Sequence, residues 1–247
     1  MAFLQVEFGS AILQQNMQLS ILMPQDIKQD EELKVLYLLH GYSGSSMDWI
    51  KLTGLERYLR NYRVMVVMPS MHNSYYSNAV YGYGYFDYYT KELPTFIEST
   101  FSVSRKKENR YIAGLSMGGY GAFKAALTYP ERYHKAASFS GAMNVETMRK
   151  LNQTAPRKGA FDSIFGFETS KDTPNDLHFL ASSCKTTLPE LYFSCGKQDF
   201  LYQDNLAFKK HLENLGIPFV YEESDGDHNW DFWDTYIQKA LKFMFDK

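Results

Sequence analysis

Along most of this chain, short apolar runs rich in β-branched and aromatic residues alternate with longer helical patterns, and that alternation implies a largely parallel sheet flanked by helices. "FLQVEFGSAIL" and "MQLSILMP" read as an opening antiparallel pair. "KVLYLLHG", "RVMVVMPS", "RYIAGLS", "KAASFSGA", "ELYFSCGK" and "FVYEESDG" read as six further strands. Helical spacing is clearest from Asp87 to Phe101, Gly118 to Tyr129, about Gln203 to Leu215, and Asp231 to Phe245. The interval from Met143 to Leu188 breaks the rhythm, with mixed polar residues, Pro156, Gly159, Gly166 and Pro174. It reads as an insertion over the C-terminal edge of the sheet, where ligands of open α/β sheets bind, and so as a lid. At 247 residues the chain is expected to form one α/β domain, 1–247, with that insertion inside it.

Charge narrows the partners. A formal net charge of −2 and a pI near 6.3 give no basic field for nucleic acid or an anionic membrane surface, which leaves a small-molecule substrate. The N-terminal "MAFLQVEFGSAILQQNMQLS" lacks the basic and continuous apolar regions of a secretory leader, so a cytoplasmic location is expected. Cys184 and Cys195 match no metal-ligand spacing and are expected to be reduced.

The stretch "RYIAGLSMGGYGAFKAAL" holds the candidate chemistry. Its GLSMG, Gly114 to Gly118, is a GxSxG pattern lying between a predicted strand and a predicted helix, the context of a nucleophile elbow. A serine at such a turn is pushed into the open, and the amide of Met117 at the helix start faces the same space. GxSxG also arises by chance in Gly-rich turns, so its partners decide. A serine hydroxyl needs a base, and in the chain order serine, acid, histidine the base follows the last strand. His228 in "SDGDHNWDFWDTY" stands there, whereas His40 and His72 precede the serine and His134, His178 and His211 fit less well. The acid belongs after the penultimate strand, where "ELYFSCGKQDF" offers Asp199; Asp204, Asp225 and Asp227 are the alternatives. A second oxyanion donor should come from the loop after the third strand, "LLHGYSGSSMDW", with the amide of Tyr42 first and Ser43 second. His40 is expected to brace that loop, and Asp48 and Trp49 to hold it as it enters a helix.

Together "HGYSGSSMDW", "GLSMGGYGAF" and "GDHNWDFW" resemble the esterase D group of α/β-hydrolases, over most of the chain. That resemblance implies an α/β-hydrolase fold of about eight mostly parallel strands and a serine esterase mechanism. The group takes in S-formylglutathione hydrolases, feruloyl and acetyl esterases and short-chain esterases of the tributyrin type, with mycolyltransferases as more distant relatives. The compact length and "FDYYTKELPTFIESTF" are most similar to bacterial tributyrin esterases. The Thr-Cys pair of S-formylglutathione hydrolases is replaced after His40 by "YSGSS".

Residues 71 to 94 are rich in tyrosine, and Tyr75, Tyr76, Tyr81, Tyr83 or Tyr85 could reach a pocket, as could Trp230 and Met117 beside the candidate catalytic residues. Of these, Tyr75, Tyr76 and Trp230 are the expected substrate contacts. A triad with backbone oxyanion donors needs no metal or organic cofactor. The expectation is therefore a serine carboxylesterase acting on short acyl chains of about two to six carbons, since a short lid offers little material for a long acyl tunnel. An acyltransferase and a non-catalytic binding module on the same framework stay open, as does a homo-oligomer.

Overall fold

The computed structural model describes residues 1–246. Its strands are β1 (Ala2–Ser10), β2 (Gln15–Met23), β3 (Lys34–Leu39), β4 (Val64–Pro69), β5 (Arg110–Leu115), β6 (Lys135–Phe139), β7 (Glu190–Gly196) and β8 (Phe219–Ser224). They form one eight-stranded sheet in the order β1-β2-β4-β3-β5-β6-β7-β8. The opening pair is an antiparallel hairpin, with Ala2 opposite Met23 and Ser10 opposite Gln15. β2 pairs antiparallel with β4, and every pairing from β4 through β3 to β8 is parallel.

The central strands are apolar at nearly every position because both faces of the sheet are covered. Period-two alternation then divides them. Val35, Tyr37, Leu39, Met65, Val67 and Ile112 enter one buried cluster. Leu36, Leu38, Val64, Val66, Met68, Tyr111, Ala113 and Leu115 enter the other. The second face is covered by α1 (Asp48–Leu52), α2 (Leu55–Tyr58) and α10 (Trp230–Phe245), which contribute Trp49, Leu55, Trp233, Ile237 and Leu241. Later in the chain than α2, α3 (Tyr85–Asp87) runs through a π turn, Tyr88–Glu92, into α4 (Leu93–Thr100). Pro94 has no N–H for a helical bond, and the Thr90 carbonyl one turn back instead accepts from Arg132 Nη1 at 2.9 Å. The first face carries this helix, α5 (Met117–Thr128) and α9 (Tyr202–Asn214), with Tyr88, Ile97, Phe123 and Phe208 among its buried residues.

The interval that read as irregular contains three short helices, α6 (Val145–Leu151), α7 (Arg157–Phe165) and α8 (Leu177–Ser183). Asn144 caps α6 and Asp176 caps α8 through side-chain oxygens, so local polar chemistry rather than a long apolar stripe sets their starts. The insertion meets the tyrosine-rich loop through backbone bonds from Val80 to Ile164 and from Tyr81 to Ser163, at 3.0 and 2.9 Å.

Topology fixes where a site can form. The chain leaves β3 for β4 on one side and then returns to place β5 on the other side of β3, so the loops after β3 and β5 diverge from adjacent strand ends. Among the described residues, no helix is long and apolar enough to cross a membrane.

Candidate active site

Ser116 sits between β5 and α5 with φ 53° and ψ −117°, a left-handed backbone that a non-glycine residue adopts at a cost. The close approach of helix to strand explains the neighbouring glycines. A Cβ on Gly114 would collide with the Gly118 backbone, and one on Gly118 would lie 2.6 Å from the carbonyl oxygens of Leu39 and His40. The Ser116 N–H donates to the Phe139 carbonyl at 2.8 Å and its carbonyl accepts from Ala142 at 3.1 Å, so the turn is held from β6 as well.

His228 reaches this corner from the loop between β8 and α10, and its Nε2 lies 2.9 Å from Ser116 Oγ. Its other ring nitrogen, Nδ1, lies 2.8 Å from Asp199 Oδ2. The Asp199 side chain is fully buried and the His228 ring is 18% exposed, so the carboxylate is shielded while the base keeps access to the site. Asp199 Oδ1 accepts the N–H of Leu201 at 2.8 Å, which leaves Oδ2 for the imidazole. The two loops are joined directly: Gln198 N–H donates to the Gly226 carbonyl at 3.0 Å, and Gly226 N–H donates to Gln198 Oε1 at 2.7 Å. Both ring nitrogens of His228 are thus engaged, and the other three acids stand apart from them. Asp204 accepts from Thr147 Oγ1 at 3.0 Å and burial pushes its carboxyl upward. Asp227 accepts the backbone N–H of His228, and Asp225 is exposed on the loop.

The loop after β3 lies against the serine, where a Cβ on Gly41 would come within 3.5 Å of Ser116 Cβ. The Ser43 N–H is already given to Asn73 Oδ1 at 2.6 Å. Among the described residues, neither the Tyr42 nor the Met117 N–H donates to a protein acceptor. The geometry therefore favours Tyr42 over Ser43. His40 is buried, contacts the Gly41 carbonyl through Nδ1 at 2.7 Å and accepts the Met71 N–H at Nε2, 2.9 Å away. Desolvation lowers its pKa, and the neutral ring satisfies both contacts by donating from Nδ1 and accepting at Nε2. Asp48 Oδ1 and Oδ2 accept from Ser45 Oγ and Ser45 N–H, and Trp49 Nε1 donates to the Leu39 carbonyl at 3.1 Å.

The expected substrate contacts divide. Tyr75 is buried on the loop after β4, with its ring 5.8 Å from Tyr42, 4.8 Å from Phe161 and 5.8 Å from Phe165. It joins the oxyanion-loop tyrosine to the insertion. Tyr76 does not face a substrate: it has no exposed surface, packs against the helix at Gly121, and donates its hydroxyl to the His40 carbonyl at 2.9 Å. Consecutive left-handed residues, Tyr75 at φ 48° and Tyr76 at φ 49°, turn the second ring inward. Trp230 packs edge-on against Trp49 and Trp233 at 5.4 and 5.1 Å, on the α10 face of the sheet. Tyr81 and Tyr83 are exposed, and the Tyr85 hydroxyl goes to His72.

Sequence reasoning missed the aromatic rings that flank the base. Phe200 and Trp233 lie 4.6 and 4.9 Å from the His228 ring, and Phe200 remains 57% exposed at the rim. Phe200 directly follows Asp199, a usable signal; Trp233 and the insertion's Phe161 carry none. Arg157 of α7 lies over the Tyr42 ring at 5.2 Å. The whole arrangement offers a hydroxyl nucleophile, a base oriented by a buried carboxylate, and two free amides, which is the equipment for acyl transfer from an ester.

Comparison with known proteins agrees with that chemistry. The Esterase family model, described as "Putative esterase", matches residues 10–244. An acetyl esterase of Caldicellulosiruptor saccharolyticus is 34% identical over 261 residues, covering 99% of this chain and 98% of the relative. The substrate-bound structure of fluorophosphonate-binding serine hydrolase F of Staphylococcus aureus superposes with a TM-score of 0.92 at 32% identity, covering 100% of this chain and 99% of the other. An S-formylglutathione hydrolase from the same organism gives 0.90 at 32% identity, covering 98% of each chain.

Proposed function

The chain belongs to the Esterase family and is a serine carboxylic-ester hydrolase of α/β-hydrolase fold, and from this we propose that it cleaves short-chain acyl esters through Ser116, His228 and Asp199. The observation that carries the reading is the His228 ring, within hydrogen-bond distance of Ser116 Oγ on one side and Asp199 Oδ2 on the other. His228 Nε2 accepts the Ser116 proton as Oγ attacks the ester carbonyl. Asp199 accepts from Nδ1–H, fixing the tautomer and stabilising the imidazolium. The carbonyl oxygen becomes an oxyanion held by the amides of Met117 and Tyr42. Collapse expels the alcohol, which takes its proton from His228 Nε2 and leaves an acyl group on Ser116. Water then gives a proton to His228 as it attacks the acyl carbonyl. A second collapse releases the acid, and the proton returns to Ser116. Nothing in these steps calls for a cofactor.

Tyr75 with Phe161 and Phe165 supplies an apolar wall, and the insertion from 143 to 188 serves as the lid that carries two of these rings. A short pocket suits acetyl to about hexanoyl groups, in keeping with a tributyrin-type activity and with the acetyl esterase relative. The S-formylglutathione hydrolase neighbour favours a second reading, thioester cleavage by the same triad. The substrate is a small molecule taken from a cytoplasmic pool, with neither nucleic acid nor membrane as partner.

The test is covalent labelling by a small fluorophosphonate with the adduct mapped by mass spectrometry, together with turnover of p-nitrophenyl esters, methyl ferulate and S-formylglutathione. Labelling at Ser116 with kcat/KM highest on a short acyl ester is the expected result. Absence of a Ser116 adduct refutes the mechanism, and a preference for S-formylglutathione replaces the substrate class. Product partition in the presence of an added alcohol or sugar separates hydrolysis from acyl transfer.

A further inference from the structure

Lys124 is a charged residue type on the buried face of α5, the helix that Ser116 introduces, and only 3% of it is exposed. Its Nζ donates to Ser77 Oγ at 2.7 Å and to Asn175 Oδ1 at 2.6 Å. The Phe86 and Tyr120 rings flank it at 4.8 and 5.6 Å. Among the described residues, no carboxylate lies within ion-pair distance of it. Burial pushes this amine down to about 7, and a neutral amine has two N–H donors for its two acceptors.

An unpaired amine in a core opposes folding by its desolvation, and a leucine or methionine would fill the same space without that cost. What the amine does that an apolar side chain cannot is hold two separate segments. Ser77 Oγ, after accepting from Lys124, donates to the Tyr75 carbonyl at 2.9 Å. The contact therefore reaches the backbone of the left-handed residue whose ring meets Tyr42 and Phe161. Asn175 belongs to the insertion, and its backbone carbonyl also accepts from the Tyr120 hydroxyl at 2.9 Å. One helix thus grips the insertion at two atoms and the tyrosine loop at a third, all from the turns that follow the nucleophile.

We propose that Lys124 is a positioning residue that fixes Tyr75 and the insertion over Ser116, so that substrate fit, rather than the proton transfers, depends on it. This rests on the esterase reading above. Lys124 touches none of the reacting atoms; it acts through Ser77 and Asn175.

Lys124→Met keeps the length and removes the donors. Hydrogen exchange of the intact variant should rise by about tenfold in residues 72–81 and 157–178, while amides of β3, β5 and β6 keep their protection. On p-nitrophenyl butyrate, KM should rise by roughly tenfold with kcat within about threefold of the parent, because uniform binding is lost and the triad is not. Unchanged exchange in both segments, or a fall in kcat with KM unaltered, overturns the proposal. If Lys124→Met does not accumulate as a folded protein, Asn175→Ala at the half-buried end of the clamp should raise exchange in 157–178 alone, and no change there overturns it equally. Exchange is read without turnover, so a parent enzyme inactive on every ester would refute the esterase reading and leave the clamp to be judged by exchange.

Discussion

The hydroxyl of Tyr76 donates to the carbonyl oxygen of His40 across 2.9 Å, behind the loop whose next-but-one amide belongs to Tyr42. The hydroxyl therefore sets the orientation of a peptide that precedes a proposed oxyanion donor. Tyr76→Phe should lower kcat by about tenfold with little change in KM, since misplacing one donor weakens a contact made in the transition state. It should also cost roughly 1–3 kcal/mol of stability by leaving a buried acceptor unpaired. Steady-state kinetics beside denaturant melts would check both, and an unchanged kcat would remove Tyr76 from any role in the oxyanion loop.

Ser116→Ala and His228→Ala should each reduce kcat by roughly 10⁶-fold, and Asp199→Asn by about 10⁴-fold, on the scale seen when such groups are removed from other serine hydrolases. Circular dichroism should show all three folded. Near-parental activity in Asp199→Asn would mean that the fully buried carboxylate beside His228 Nδ1 does not orient the ring during turnover.

Acyl length should be limited by the Phe161 ring, 4.8 Å from Tyr75. The parent enzyme is expected to prefer esters of about two to six carbons, because methylenes that meet a wall gain none of the roughly 0.8 kcal/mol of burial. Phe161→Ala should move the optimum to longer chains. Measuring kcat/KM from acetate to palmitate for both proteins would decide it; a parental maximum at about twelve carbons contradicts the short pocket.

Lys124 predicts a pH signature in stability. Its amine lies near the usual 10.4 when unfolded and at about 7 when folded, so between these values the unfolded chain binds more protons. Its contribution is complete above the unfolded value and is lost as pH falls toward 7; below that both states are protonated and the penalty is constant. The difference in Tm between parent and Lys124→Met should therefore grow in the parent's favour from pH 7 to about 10, the comparison cancelling the tyrosines common to both. A flat difference would show that the folded amine titrates in the ordinary lysine range.

The strands were legible because a sheet covered on both faces writes continuous apolar runs such as "KVLYLL" and "VMVVMP", while the first strand of the opening hairpin alternates polar and apolar residues. Helix starts fell within a residue or two of expectation, at Met117, Tyr202 and Trp230. The meeting of Ser116, Asp199 and His228 could be read from their order along the chain, since each stands after a parallel strand whose C-terminal end lies at one edge. The helices of the insertion could not be read. They are only 7, 9 and 7 residues long, too short for a period to stand out, and take their stability from packing on the rest of the molecule. Tyr75 and Tyr76 were indistinguishable as letters; their successive places in a left-handed turn send one ring toward Tyr42 and the other behind His40.

Among the described residues, β8 is bonded on one side only, to β7, and its outer edge is open. The proposed base, His228, follows this strand; hydrogen bonds of the backbone tie its loop to the loop of Asp199, whereas its contact with Ser116 is made through the imidazole ring. Thermal fraying at that rim would carry the imidazole away from a serine still rooted in the middle of the sheet. Inactivation should then run ahead of melting: in graded urea, ester turnover disappears before the far-ultraviolet helix signal moves, and it returns on dilution without a refolding lag. On that expectation, the working lifetime is set at the molecule's margin rather than in its interior.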